Sequence, residues 1–509
     1  MFEAAELGRK ISKKEFEKVA VTLRMELLEE QRLLRQATFP VIIVVAGVDG
    51  AGKSETVNLL NEWLDPRWIV TRAYDEPSDE ERERPEFWRY FRDLPPKGKM
   101  GIFLSSWYSR PVLDRVYGTI SHAQFDERLD RMIAFERTLA DDGALILKYW
   151  MHLGKRAQEK RLRALEKDPL QSWRVTKRDW KHWRMYDRFI ETAEHTIRRS
   201  STGSAPWTIV EGANPEYRAI TVTTILRDAI RKHRTEMDVR GKLAAEAHKA
   251  QPQDTVTVAR SGARALLASQ KTILRSLDMT QALDRKTYET ELRKEQGRLN
   301  RLSREVRAQG KSVLLCFEGW DAAGKGGAIR RLTSALDARN YQVIAIAAPT
   351  DEERAHHYLW RFWRHLPRAG RFLVFDRTWY GRVLVERVEG FATEQEWMRA
   401  YAEINEFEQQ LVDHGIVLVK YWLHITKDEQ LRRFKEREGT PYKAWKLTDE
   451  DWRNREKWDA YEQAVNDMAE RTSTLAAPWT LVEANDKLFA RVKVIRTVCD
   501  RLERALKKP

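Results

Sequence analysis

Cysteine is scarce: 509 residues hold two, Cys316 and Cys499. Two thiols cannot build a disulfide framework or a thiolate metal site, and such sparse use suits a reducing compartment. Long apolar runs are missing as well. None approaches the roughly 20 residues that a membrane helix needs. Met1 to Ala20 is polar and charged, unlike the apolar centre of a secretory signal. The chain is therefore expected in the cytoplasm, with no membrane partner. Acidic residues are in deficit: 77 Asp and Glu stand against 91 Lys and Arg, a formal net charge of +14. That excess favours polyanionic partners, whether nucleic acid, an anionic surface or phosphate-rich small molecules. Charge does not choose among them, and a basic surface with no such partner also fits. No established nucleic-acid motif occurs, which ranks that class low. Core material is ample, since 42% of residues are hydrophobic, in a chain too long for one ordinary core.

What is present is an internal repeat. VIIVVAGVDGAGKSETVNLL from Val41 matches VLLCFEGWDAAGKGGAIRRL from Val313, an offset of 272 residues. The same offset carries Pro77 to Pro349, Trp88 to Trp360, Trp107-Tyr108 to Trp379-Tyr380, and Lys148-Tyr149-Trp150 to Lys420-Tyr421-Trp422. It still holds at Ala205-Pro206-Trp207 and Ala477-Pro478-Trp479. A period this long marks a duplicated domain, not a solenoid unit. The division is expected at residues 250 to 265, giving an N-terminal copy over 1–250 and a C-terminal copy over 251–509. In the second copy, short β-branched or aromatic runs predict strands over 312–317, 342–347, 371–375, 416–421 and 479–482, with helical stretches between them. The expected fold is α/β: two tandem P-loop kinase-like domains, each a doubly wound parallel sheet with helices on both faces and a helical lid.

The chemistry-bearing motif follows the first strand of each copy. Gly47 to Ser54 fits G-x-x-x-x-G-K-[ST] throughout; Gly319 to Gly326 fits except that Gly326 replaces the hydroxyl residue. Such a loop wraps phosphate with successive backbone N–H groups, aided by the helix N-terminus and the lysine. Gly319, Ala322, Ala323, Gly324, Gly326 and Gly327 are the candidate cradle, with Lys325 on the transferring group. Because the hydroxyl that normally helps hold Mg²⁺ is absent, Asp321 is the candidate replacement.

A second carboxylate separates the copies. The strand at 371–375 runs into Asp376-Arg377-Thr378-Trp379-Tyr380-Gly381-Arg382, and an Asp at a strand end downstream of a P-loop is where a Walker-B carboxylate sits. An N-cap role for Asp376 is the competing reading. Arg377 and Arg382 are candidate forks for phosphate oxygens. In the first copy the Asp376 and Arg377 positions hold Leu104 and Ser105, so that copy is expected to be weak or inactive. Arg354 is a candidate anion contact in an aromatic and basic stretch. Arg432, Arg433 and Lys443 belong to a cationic cluster between the fourth and fifth strands, read either as a solvated basic face or as a lid suited to a donor with many phosphates.

Taken in order, FEGWDAAGKGGAIRRL, PTDEERAHHYLWRFWRHLP, FDRTWYGRVLVERV, KYWLHI and PYKAWKLT resemble the signatures of family-2 polyphosphate kinases over nearly all of the second copy; the first copy is similar but degenerate. The two-copy layout resembles the fused-domain subgroup, associated with phosphorylating AMP to ADP from polyphosphate. The resemblance implies Mg²⁺ on Asp321 and Asp376, phosphates on Lys325, Arg377 and Arg382, and Glu386 ordering the basic side chains. It departs at Gly381, where the family has Asn. Polyphosphate and a nucleotide, AMP first, are the implied partners; the sequence leaves a homo-oligomer open. Rival readings are ADP or GDP as acceptor, an ATP-dependent nucleoside monophosphate kinase, and a non-catalytic nucleic-acid-binding protein.

Overall fold

The computed structural model describes residues 1–250, 272–440 and 449–507. The expected division at 250 to 265 thus falls largely outside the described residues, as does the PYKAWKLT segment with Lys443. Within these residues ten strands form two sheets. The first contains β1 (Val41–Gly47), β2 (Ile69–Ala73), β3 (Met100–Leu104), β4 (Leu145–His152) and β5 (Trp207–Glu211). The second contains β6 (Val313–Gly319), β7 (Tyr341–Ala345), β8 (Phe372–Asp376), β9 (Val417–His424) and β10 (Trp479–Glu483). Every pairing is parallel. The orders β2-β3-β1-β4-β5 and β7-β8-β6-β9-β10 are the same fold written twice.

The sequence explains this shape. The central strands are unbroken apolar runs such as VIIVV and VLLCF, buried along almost their whole length, as strands covered on both faces must be. From the central strand the chain crosses outward to one side, then returns past it to the other. With right-handed crossovers, that reversal puts helices on both faces and leaves a crevice at the carboxyl ends of the central strands. The long terminal helices pack in pairs: Lys13–Leu34 on Pro215–Ala250, and Arg285–Ala308 on Lys487–Leu506.

Below each crevice lies the same buried polar network. Lys420 Nζ sits 2.7 Å from Glu408 and donates to Tyr380 Oη (2.8 Å) and the Thr472 carbonyl (2.8 Å), while Trp379 Nε1 donates to Glu408 (3.0 Å). In the first sheet Lys148 meets Glu136 (2.6 Å), Tyr108 (3.0 Å) and the Ser200 carbonyl (2.8 Å), with Trp107 on Glu136 (3.0 Å). The repeated Trp-Tyr pair and the lysine of the Lys-Tyr-Trp motif are therefore structural. Each lysine is sealed from water and its charge is met by a carboxylate and hydrogen bonds, as burial demands.

The chain divides into two compact units, and a short piece of each copy is counted with the other unit. Ser78–Trp88 belongs with the second and Asp351–His357 with the first. Within the second unit Arg84 Nε donates to the Leu366 carbonyl (2.9 Å) and Arg368 pairs with Glu83 (2.6 Å). Within the first, Lys97 N donates to the Ala355 carbonyl (2.8 Å).

Candidate active site

The loop after β6 must turn tightly against β9. A Cβ at Gly319, whose φ is +149°, would lie 2.6 Å from the Leu423 carbonyl oxygen, so no side chain fits. Gly324 then caps the helix Lys325–Thr333 in the left-handed region, where glycine carries no Cβ penalty. Lys325 Nζ donates back to the Gly319 and Trp320 carbonyls (2.6 and 3.3 Å), which folds the ammonium over the loop.

Sheet register brings in the second carboxylate. Asp376 is the last residue of β8 and pairs with Phe317, two residues before the loop's first glycine. Asp321, Lys325, Asp376 and Arg377 line one cavity of about 700 Å³, together with Ala322, Ala323, Gly324, Gly326 and Gly327. Arg377 Nη2 is 3.6 Å from Asp321 Oδ1, and Asn454 Nδ2 donates to Asp321 Oδ2 (3.0 Å). Burial works against charge on Arg377, yet Asp321 and the other carboxylates facing it hold its proton more tightly than usual. Among the described residues, three that are not glycine have positive φ: Ser105, Ala322 and Arg377. Two of them line this cavity, and the third occupies the matching turn of the first copy. Such backbone strain concentrates at functional turns.

Other expected residues lie elsewhere. Gly319 shapes the loop without lining the cavity. Arg382 pairs with Glu386 (3.2 Å) and covers the Tyr358 ring at 4.6 Å; burial raises the Glu386 carboxyl and Arg382 opposes the rise. Arg354 pairs with Asp351 in a segment counted with the first unit. Arg432 is exposed and pairs with Glu429 (2.7 Å). Arg433 does border the cavity, but it is a clamp. Its Nη1 donates to the Ala322 and Ala323 carbonyls (2.9 and 3.1 Å), its Nη2 to Ala484 and Asn485 (2.6 and 2.8 Å), and its Nε to Glu429. All five guanidinium donors are engaged within the protein.

Several residues escaped sequence reasoning. Arg330, Lys487 and Arg491 line the cavity, and the repeat could have found them, since the 272-residue offset places Asn58, Pro215 and Ala219 at those positions. Glu318 is buried and accepts from Thr378 N and Oγ1 (2.7 and 2.8 Å); burial raises its carboxyl above the usual range. Its first-copy counterpart is Ala46. Trp320 stacks on Trp458 at 3.8 Å and donates to His424 Nδ1 (3.0 Å), closing one wall.

The first copy builds the loop differently. Gly50, Gly52, Lys53 and Ser54 border a cavity of about 510 Å³. There Asp49 is bound by Lys53 (3.2 Å) and by His182 (2.6 Å), and His182 meets Tyr117 Oη (2.6 Å). Burial pushes the Asp49 carboxyl up, but Lys53 and His182 outweigh it and hold it well below the usual carboxylate range. The loop clamp is replaced too: Arg218, not the Arg433 counterpart Arg161, donates to the Ala51 and Gly212 carbonyls (3.4 and 2.8 Å).

A glycine-turned loop at the helix N-terminus, a lysine folded over it and a carboxylate on the adjacent strand end define a P-loop phosphotransferase. Comparison with known proteins narrows the class. The sequence matches Polyphosphate kinase 2 (PPK2) over residues 10–238 and 282–509, and the chain belongs to this family. It is 53% identical to a Pseudomonas aeruginosa polyphosphate:AMP phosphotransferase, with all of both chains covered. It is 48% identical to a protein of the same name from Pseudomonas syringae pv. tomato, with 99% of both covered. A crystal structure of a Pseudomonas aeruginosa protein assigned to polyphosphate kinase 2 superposes with a TM-score of 0.86 at 50% identity, covering both chains fully.

Proposed function

We propose that this chain moves the terminal phosphate of inorganic polyphosphate to AMP, giving ADP and a polymer one phosphate shorter, and that the second unit performs the transfer. The acceptor reading rests on the names of the full-length relatives. The choice of unit rests on one observation: Asp376 shares a cavity with Asp321 and Lys325, while the first copy has Leu104 at that strand end.

Among the described residues, the cavity lining includes Asp321, Asp376, Glu436 and Asp451 and no His or Cys. Oxygen-only donors fit Mg²⁺, with Asp321 and Asp376 as the residues that would hold it. When bound, the ion supplies charge neutralisation on phosphoryl oxygens. The protein's own part is positioning. An AMP phosphate oxygen, already anionic near neutral pH, attacks the terminal phosphorus in line; the bond to the next bridging oxygen breaks and the shortened polymer leaves as the anion. No strong base is needed. Lys325, Arg377 and the N–H groups of the loop meet the charge on the transferring group. Arg330, Lys487 and Arg491 extend the cationic wall along the polymer, and Glu386 holds Arg382.

The test is one assay of the purified chain with Mg²⁺ and polyphosphate, offering AMP, ADP and GDP separately, and AMP with ATP in place of polyphosphate. ADP formation from AMP and polyphosphate is the expected dominant activity. Faster ATP or GTP formation would reassign the acceptor, and a requirement for ATP would reassign the donor.

A further inference from the structure

The helices His122–Asp141 and Tyr186–Ser200 of the first unit pack against each other. Where they meet, three side chains converge. His122 and Asp126 are one turn apart on the first helix and so project from the same face; His195 reaches across from the second. His122 Nδ1 lies 3.1 Å from one carboxylate oxygen of Asp126, and His195 Nε2 lies 2.6 Å from the other. The two imidazole rings are 4.7 Å apart. One ligand atom from each residue falls within 4.8 Å of the other two. All three side chains are reachable from solvent, at 58, 29 and 34% exposure. Glu191, one turn before His195, lines a small cavity together with His122 and His195.

We propose that this trio is a binding site for a transition-metal dication of the zinc type, held by two imidazole nitrogens and one carboxylate oxygen with a fourth position open. An ionised carboxylate only accepts hydrogen bonds, so His195 directs its Nε2–H at Asp126, while His122 Nδ1 lies beside the other oxygen. A dication takes the place of that proton once the His195 ring carries it on Nδ1. Two nitrogens and one oxygen, with room for a water or for Glu191, match the ligand number and type that zinc accepts. The same mixture is a poor site for Mg²⁺, which takes oxygen ligands. Arg115 and Arg188 also border the cavity, so a cation held by charge alone gains little there, and imidazole coordination has to supply the affinity. The repeat gives an independent argument. The offset places Glu394, Met398 and Asp467 at the three positions of the second copy, where Asp467 pairs with Arg387 (2.8 Å). The corresponding helices, Glu394–Asp413 and Trp458–Thr472, still pack together. The fold therefore does not need the trio, which belongs to the N-terminal copy.

The experiment uses the full chain, stripped with chelator and returned to excess Mg²⁺ so that oxygen-donor sites are filled. Zn²⁺ is titrated by calorimetry, and Co²⁺ is added as a probe whose visible absorption reports nitrogen and oxygen coordination. The wild type is expected to bind one Zn²⁺ per chain in a way that His122→Gln/His195→Gln weakens about tenfold or more, the scale on which altered coordination changes metal affinity. Zn²⁺ should raise the unfolding midpoint of the wild type and leave that of the variant unchanged. Asp126→Asn, which keeps the shape of the side chain, should behave like the double variant. Equal stoichiometry and affinity in all three chains, or no binding by the wild type at micromolar Zn²⁺, would overturn the proposal.

Discussion

The two copies share their sheet order, their glycine-turned loop and the buried lysine network beneath it, and they differ at the tips of the strands. In the second, Asp321 faces an amide and a guanidinium across an open cavity, with Asp376 on the next strand end. In the first, Asp49 is held by Lys53 and His182, the neighbouring strand ends in Leu104, and the cationic wall is replaced by Asn58, Pro215 and Ala219. The first loop fits the sequence motif better, hydroxyl included, and yet no second carboxylate stands at its neighbouring strand end. Motif quality and catalytic equipment are separate properties. The motif makes a cradle; transfer also needs a second carboxylate and a cationic wall around it.

That contrast can be broken most directly at the strand ends. Asp376→Asn should lower kcat by about 10²–10³-fold, the size seen when one preorganised electrostatic group is lost, while Lys53→Ala should leave ADP formation near the wild-type rate. Steady-state assays of both variants decide it, and the opposite pattern would move the active site to the first unit. Next in size is the shared foundation. Lys420→Met leaves Glu408 buried without its partner and should cost about 3–5 kcal/mol in chemical denaturation; Lys148→Met should cost the first unit a similar amount. Strong asymmetry between these two would show that the networks are not equivalent. A third effect depends on pH. Burial lowers His424 to about 4, against about 6.5 for the free side chain. Between those values the unfolded chain binds more protons, so the contribution is constant above about pH 6.5 and stability falls as pH drops towards 4, by up to about 3 kcal/mol. His424→Gln should flatten this part of the stability profile, measured by denaturation at several pH values. The smallest expected change is Arg491→Ala, which should raise KM for polyphosphate by roughly fivefold to tenfold, the equivalent of one net hydrogen-bonding contact of about 1 kcal/mol. Ala219→Arg, the reciprocal change in the first unit, should leave it unaltered.

Much of this is legible in the sequence. All five strands of the second sheet were expected within two or three residues of where they lie, because buried parallel strands are short unbroken apolar runs. Asp321, Lys325, Asp376 and Arg377 share one cavity because their spacing follows from a strand, a tight loop and a neighbouring strand end, all local in sequence. What stayed hidden depends on partners distant in the chain. Arg433 looks like any lid cation until its guanidinium is seen against four backbone carbonyls, two of them more than 100 residues away. Asn454 carries no charge and no motif, and only its reach to Asp321 marks it. Trp107-Tyr108 and Trp379-Tyr380 are chemically suggestive in sequence, yet they are occupied in holding the buried Lys–Glu pairs.

The Arg433 clamp has one further consequence. It fastens the middle of the helix Lys427–Glu438 to the P-loop on one side and to the turn after β10 on the other, so one side chain ties three segments into a single piece. Shortening the arginine to lysine would loosen all three together.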